Sequence, residues 1–205
     1  VVTVACCYWS KNKYTAPNST CFDPSWVDKL YRGFKRNLTK DFRFVVFTDR
    51  EYQFCDGVEQ QRLETEVPHF GCLIEPFKLN EPSIICGLDT IVLDNVNHLA
   101  NYCEKNTKIC APRDPYKPEQ LINPIVLVPR GHASVFELWR DENDMEWLRR
   151  FKWDAMDDLW PGQVISCKAA KVRDVGVGSA KIVYFHGVPK PHQLLNLDWV
   201  RKHWR

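Results

Sequence analysis

Asp89 is the acidic residue of this sequence whose neighbours say most about its use. It sits in Ile84-Ile85-Cys86-Gly87-Leu88-Asp89-Thr90-Ile91-Val92-Leu93-Asp94, an apolar run with β-branched residues on both sides of one carboxylate. Such a pattern reads as a buried strand that surfaces, presents Asp89 and re-enters the core. A carboxylate at that point is placed to meet a ligand, because open α/β sheets bind ligands at the carboxyl ends of their strands. The residue fits a turn cap equally well, since aspartate is common in turns. Near the other end of the chain, Ile182-Val183-Tyr184-Phe185-His186-Gly187-Val188-Pro189-Lys190-Pro191-His192 sets a histidine and a lysine behind a second apolar run. A lone histidine after a strand is usually structural. Here the adjoining glycine, lysine and prolines favour function.

The elements that must position these side chains begin with Val1-Val2-Thr3-Val4-Ala5-Cys6-Cys7, a β-prone run expected to be the first strand. Lys11, Lys13 and Tyr14 fall in the loop at its carboxyl end. Asp23-Pro24 supplies an N-cap and a first-turn proline ahead of Val27, Leu30, Tyr31, Phe34 and Leu38 at helical spacing. Arg43-Phe44-Val45-Val46-Phe47-Thr48-Asp49 is a second strand, completing a βαβ unit whose right-handed crossover turns both strand ends toward one crevice. Asp49 either faces that crevice or simply ends its strand. Further on, a strand is expected near Val58 to Leu63, loops around Pro68 and Pro76, and a short helix from Leu99 to Cys103. Strands follow at Lys108 to Ala111 and Leu121 to Val128, then helical stretches from Ala133 to Arg140 and Glu142 to Phe151. Asp198 to Arg205 reads as a final amphipathic turn on the core.

Leu88-Asp89-Thr90-Ile91-Val92 resembles the D-x-D segment of GT-A glycosyltransferases, and the two ends of the chain are similar to a small bacterial and phage glycosyltransferase-like family. The resemblance implies an α/β fold: a GT-A-like single domain over 1–205 with a Rossmann-like mixed, mostly parallel sheet flanked by helices. Residues 1–94 would form the nucleotide-binding half, and 95–205 the acceptor half with its closing His-Gly-x-Pro-Lys-Pro-His segment. It implies that Ala5, Cys6 and Asp49 hold the nucleotide, that Arg113 and Asp114 lie near the donor sugar, and that Lys190 reaches the diphosphate. Asn123 would meet the sugar, and Asp144, from Asp144-Met145-Glu146-Trp147-Leu148, would approach the acceptor. Asp89 and His186 would hold a metal, Mn²⁺ or Mg²⁺. The chain departs from the family at Pro124, which replaces a small residue, and at three further places. Gly87 stands where the first D-x-D carboxylate belongs, so the metal is weakened or absent. A lysine is missing at His69-Phe70-Gly71-Cys72-Leu73, and Met145 replaces glutamine. Read as residues alone, Arg113 and Asp114 fit an exposed ion pair as well, and Asp144 fits a solvated helix face.

With 205 residues, 44% of them hydrophobic and 13% aromatic, the chain can bury one domain-sized core, and disorder is excluded. A net charge of +2 from 28 basic and 26 acidic residues is no footprint for nucleic acid. No run nears the roughly 18 apolar residues of a membrane span, and the N-terminus has no signal-peptide layout, so no transmembrane segment is expected. Nine cysteines without a single C-x-x-C pair suggest neither a zinc site nor a disulfide framework. They read as small buried hydrophobes of a reducing compartment, the cytoplasm, or the host cytoplasm for a viral protein. The implied function is transfer of a sugar from a UDP- or GDP-sugar to the hydroxyl of a glycan or other acceptor. The alternative is a degenerate GT-A-like protein that binds a nucleotide or glycan without turnover.

Overall fold

The first strand shows in miniature how the sheet is held. In the computed structural model, which describes residues 1–205, β1 (Val2–Tyr8) is buried at every position. Its side chains alternate between two apolar clusters: Val2, Val4, Cys6 and Tyr8 enter one, Ala5 and Cys7 the other. A strand covered on both faces needs no polar alternation, which is why the sequence here is a continuous apolar run.

Around β1 the chain lays β2 (Phe42–Thr48), β3 (Val58–Arg62), β4 (Ser83–Cys86), β6 (Ile109–Ala111), β7 (Ile125–Val128) and β8 (Trp153–Ala155) in the order β3-β2-β1-β4-β7-β6-β8. Every pairing is parallel except the two that β7 makes with β4 and β6. The mixed, mostly parallel sheet expected from the sequence is therefore present.

One face is covered by α1 (Pro24–Asn37) and α2 (Asn97–Lys105), the other by a 3-10 run over Phe70–Leu79 and the short helices α3 (Ser134–Glu137) and α4 (Asp144–Leu148). α1 forms as its signals dictate. The Asp23 carboxylate accepts from the Ser25 amide at 2.8 Å, Pro24 opens the first turn, and Trp26, Val27, Leu30, Tyr31 and Phe34 make the buried stripe.

The sequence does not announce a second, three-stranded sheet. β5 (Thr90–Val92) leaves the main sheet after the Gly87-Leu88-Asp89 turn and pairs antiparallel with β10 (Ile182–Tyr184), which runs parallel to β9 (Val164–Ser166). Behind β8 and β9 lie α5 (Met156–Leu159) and α6 (Val172–Val175), and the chain closes in α7 (Asp198–His203).

Several expected elements are shorter than their sequence patterns. The strand read over Leu121 to Val128 begins only at Ile125, because Pro124 has no N–H to give a ladder. The helices read over 133–140 and 142–151 contract to α3 and α4. The region around Pro76, read as loop, is the 3-10 run. It is pinned by buried Glu75, which accepts from the amides of Glu64 at 2.7 Å and Thr65 at 3.0 Å.

Candidate functional site

Three strand ends and one strand start converge on a single cavity of about 460 Å³. β1 delivers Cys7, Tyr8 and Trp9, β4 delivers Gly87, Leu88 and Asp89, and β10 delivers Tyr184 to Gly187. Antiparallel β7 arrives by its amino end, with Ile122, Asn123 and Pro124. The crevice also lies at a topological switch point, since the chain steps from β1 to β2 on one side and returns to β4 on the other. Doubly wound sheets place ligands at such a point, and the volume suits a small organic ligand.

Local pairing explains how distant residues meet there. The register Thr90 opposite Tyr184 puts Phe185 beside Asp89, where the Phe185 amide donates to the Asp89 carbonyl at 3.1 Å. His186 follows directly. The register Ser166 opposite Tyr184 then brings the Ser166 hydroxyl to 2.7 Å from His186 Nε2. On the other wall the Gly87 amide donates to the Pro124 carbonyl at 2.8 Å, which ties the segment carrying Asn123 to the Asp89 turn.

The ionisable groups of the cavity fall into pairs. Lys190, only 4% exposed, donates from Nζ to Asp89 Oδ2, and its ammonium stands 5.4 Å from the centre of the Phe22 ring. Asn123 donates from Nδ2 to Asp144 Oδ2. Asp144 is also 4% exposed, and burial raises its carboxyl above the ordinary aspartate value, against the lowering effect of the Asn123 amide. Burial, with the Lys168 ammonium next, pushes the His186 imidazole below its ordinary value, so its neutral form is favoured. Asp114 pairs with Arg149 at 3.4 Å and accepts from the amide of Tyr116 at 2.9 Å.

Of the residues expected from the sequence, Asp89, Asp114, Asn123, Asp144, His186 and Lys190 share this cavity. Asp144 lies on no solvated helix face: its neighbour Asn143 caps α4, and the carboxylate turns inward. Ala5 and Cys6 are fully buried in the strand interior, 0% exposed, and the wall begins one residue later, at Cys7. Asp49 is engaged beside the cavity, accepting from the Tyr52 hydroxyl at 2.7 Å and the Ser10 amide at 3.3 Å. Arg113 is drawn away to an exposed pair with Asp158 at 2.6 Å, and its amide donates to Asp157 at 2.8 Å. Residues on the wall to which the sequence reading gave no role include Trp9, Phe22, Phe70 and Tyr116. Of these only Trp9, directly past the end of β1, carried a sequence signal.

The side chains present do not make a divalent metal site. No three His, Cys, Asp or Glu side chains converge anywhere in the chain. Gly87 contributes no ligand, Asp89 is engaged by an ammonium, and His186 Nε2 faces a serine hydroxyl. A divalent ion at a phosphate site needs at least one or two carboxylates beside the phosphates, and the one carboxylate here is already bonded to an ammonium.

No protein-family model and no curated protein sequence matches the chain. Solved structures do match. The apo bifunctional glycosyltransferase WbbM superposes over 98% of this chain and 50% of its own, with a TM-score of 0.60 at 9% identity. The glycosyltransferase GlyE of Streptococcus pneumoniae TIGR4 matches over 98% of this chain and 62% of its own, with a TM-score of 0.59 at 10% identity. The galactosyltransferase LgtC, solved with donor and acceptor sugar analogs, matches over 92% of this chain and 88% of its own, with a TM-score of 0.54 at 9% identity. The chain thus spans half the length of WbbM and less than two thirds of GlyE. It has the GT-A-type fold of these glycosyltransferases. No helix of the structure is long and apolar enough to cross a membrane.

Proposed function

We propose that the protein is a glycosyltransferase that moves a hexose from a UDP- or GDP-sugar to a hydroxyl of a glycan or other acceptor. The observation that carries this reading is the gathering of Asp89, Lys190, His186, Asn123 and Asp144 around one cavity at the switch point of a glycosyltransferase-type fold. LgtC, which shares that fold, was solved with both a donor and an acceptor analog, and a two-substrate cavity is what the present arrangement supports.

The chemistry divides between the two walls. The end of β1, with Tyr8 and the following Trp9, offers apolar surface to a nucleotide base. The Lys190 ammonium takes the diphosphate, whose charge grows as the glycosidic bond to it breaks. Across the cavity Asn123 offers its amide to Asp144 and to a sugar hydroxyl. Asp144, its carboxyl raised by burial, receives the proton of the attacking acceptor hydroxyl. The neutral imidazole of His186, held by Ser166, hydrogen-bonds the donor. Nine free thiols, most of them buried, support a reducing compartment such as the cytoplasm as the place of action.

The test is release of nucleoside diphosphate from a panel of UDP- and GDP-sugars, alone and with mixed glycan acceptors. Release that falls at least about a hundredfold in Asp144→Asn is the expected result. Binding of a nucleotide sugar without release from any donor favours the non-catalytic reading, and release untouched by Asp144→Asn, His186→Ala and Lys190→Met places the chemistry elsewhere.

A further inference from the structure

We infer that this cavity receives its nucleoside diphosphate without a divalent cation, the Lys190 ammonium standing where a metal ion would otherwise join Asp89 to the phosphates. The inference rests on the nucleotide-sugar reading above and deepens it.

The first support is the occupation of Asp89. Its Oδ2 already accepts from Lys190, and the lysine is buried with Phe22 on one side while still lining the cavity. A metal ion on Asp89 would have to displace the ammonium and leave a buried cation beside a second one, an arrangement that low-dielectric surroundings disfavour strongly. Lysine has three N–H donors, and one bond to Asp89 leaves others for phosphate oxygens. Asp89 therefore acts as a positioning residue that aims and charge-balances Lys190.

The second support is Gly87. Its backbone is not in the left-handed region, so no conformational demand requires glycine there. A Cβ at that position would lie 3.3 Å from Asp89 Oδ1 and 3.5 Å from the Pro124 carbonyl. The position is thus one from which a side chain would meet the Asp89 carboxylate, and it carries none. A second acid at 87 without a metal would push against both Asp89 and an incoming diphosphate. Its absence leaves the single ammonium unopposed except by its own partner.

The remaining candidate ligand points the same way. His186 Nε2 is 2.7 Å from the Ser166 hydroxyl, and no third His, Cys, Asp or Glu side chain completes a metal-binding group with Asp89 and His186.

Calorimetric titration of the full chain with UDP and with GDP, in excess EDTA and in excess MnCl₂, tests the inference. The expected result is a dissociation constant that agrees within about twofold between the two buffers. Gly87→Asp should create the missing dependence: about tenfold weaker binding than wild type in EDTA, recovered when Mn²⁺ is added. Lys190→Met should lose about tenfold or more in EDTA. If that variant does not fold, as judged by circular dichroism, Gly87→Asp carries the test alone. Tightening of the wild type by more than about tenfold on adding Mn²⁺ overturns this inference and leaves the nucleotide-sugar reading standing. Metal-independent binding that is indifferent to both substitutions overturns the role given to Lys190. Absence of binding to either nucleotide in both buffers overturns the inference and the reading beneath it together.

Discussion

Two carboxylates face the same cavity, Asp144 buried and Asp89 partly buried, and they are treated differently by their surroundings. Asp89 has a lysine ammonium bonded to it, while Asp144 has neutral amides, that of Asn123 foremost. A carboxylate with a cation can stay charged out of water, and the pair then acts as a fixed dipole. A buried carboxylate without one binds a proton more readily, which suits a group that takes up a proton rather than one that anchors charge. The difference teaches that the cavity has an electrostatic wall, at the end of β4, and a proton-handling wall, ahead of β7 and α4.

The comparison breaks most visibly through Asp144. Asp144→Asn keeps the volume and hydrogen bonding but cannot take a proton, so sugar transfer should fall by about 10² to 10⁴ while nucleotide affinity, read by calorimetry, stays put. Stability should move in the opposite sense. The Asp144 carboxyl titrates above its unfolded value of 3.8, so the stability tied to its protonation is complete below that value and lost as pH rises through the folded value. The asparagine variant therefore gains on the wild type in urea midpoint as pH rises.

Lys190→Met is the counterpart on the other wall. It strands the Asp89 carboxylate in a site where both side chains are largely buried. Urea denaturation at neutral pH should show a loss of about 3–5 kcal/mol. A loss below about 1 kcal/mol would put this pair in the class of solvated surface bridges and erase the distinction between the two walls.

Asn123→Ala sharpens the comparison by a smaller step. It removes a neutral partner, so the expected destabilisation is about 1–3 kcal/mol. Because the amide lowers the Asp144 carboxyl, its loss should move the acidic limb of the pH–rate profile upward. An unmoved limb would detach Asp144 from the rate. The smallest effect belongs to Arg113→Ala, which opens the exposed pair with Asp158. Stability should change by less than about 1 kcal/mol and UDP or GDP binding not at all.

Much of this site was legible in the sequence because it sits where simple patterns break. Asp89 interrupts an apolar run, and His186 and Lys190 follow one, so strand ends and their cargo could be read together. The main sheet was legible for the same reason: β1, β2 and β4 are continuous apolar runs, the mark of strands covered on both faces. The second sheet was not, since β5, β9 and β10 have three residues each and strands that short carry no period. Ser166 as the partner of His186 depends on the register between β9 and β10, which no local signal encodes. Ala5 and Cys6 lie inside the sheet rather than on the cavity because β1 extends to Tyr8, one residue beyond the apolar run ending at Cys7. Arg113 lies outside the cavity, and nothing near it in sequence shows that Asp157 and Asp158 of α5 take it up.

Amide chemical-shift mapping of the isotope-labelled protein, titrated with UDP and GDP, tests most directly whether this cavity is the donor site. Shifts should concentrate at the amides of Tyr8, Trp9, Leu88, Asp89, Gly187, Val188 and Lys190, with Arg113 unmoved. Shifts confined to residues outside the cavity, or none with either nucleotide, would contradict the placement of a nucleotide-sugar site between β1 and β4.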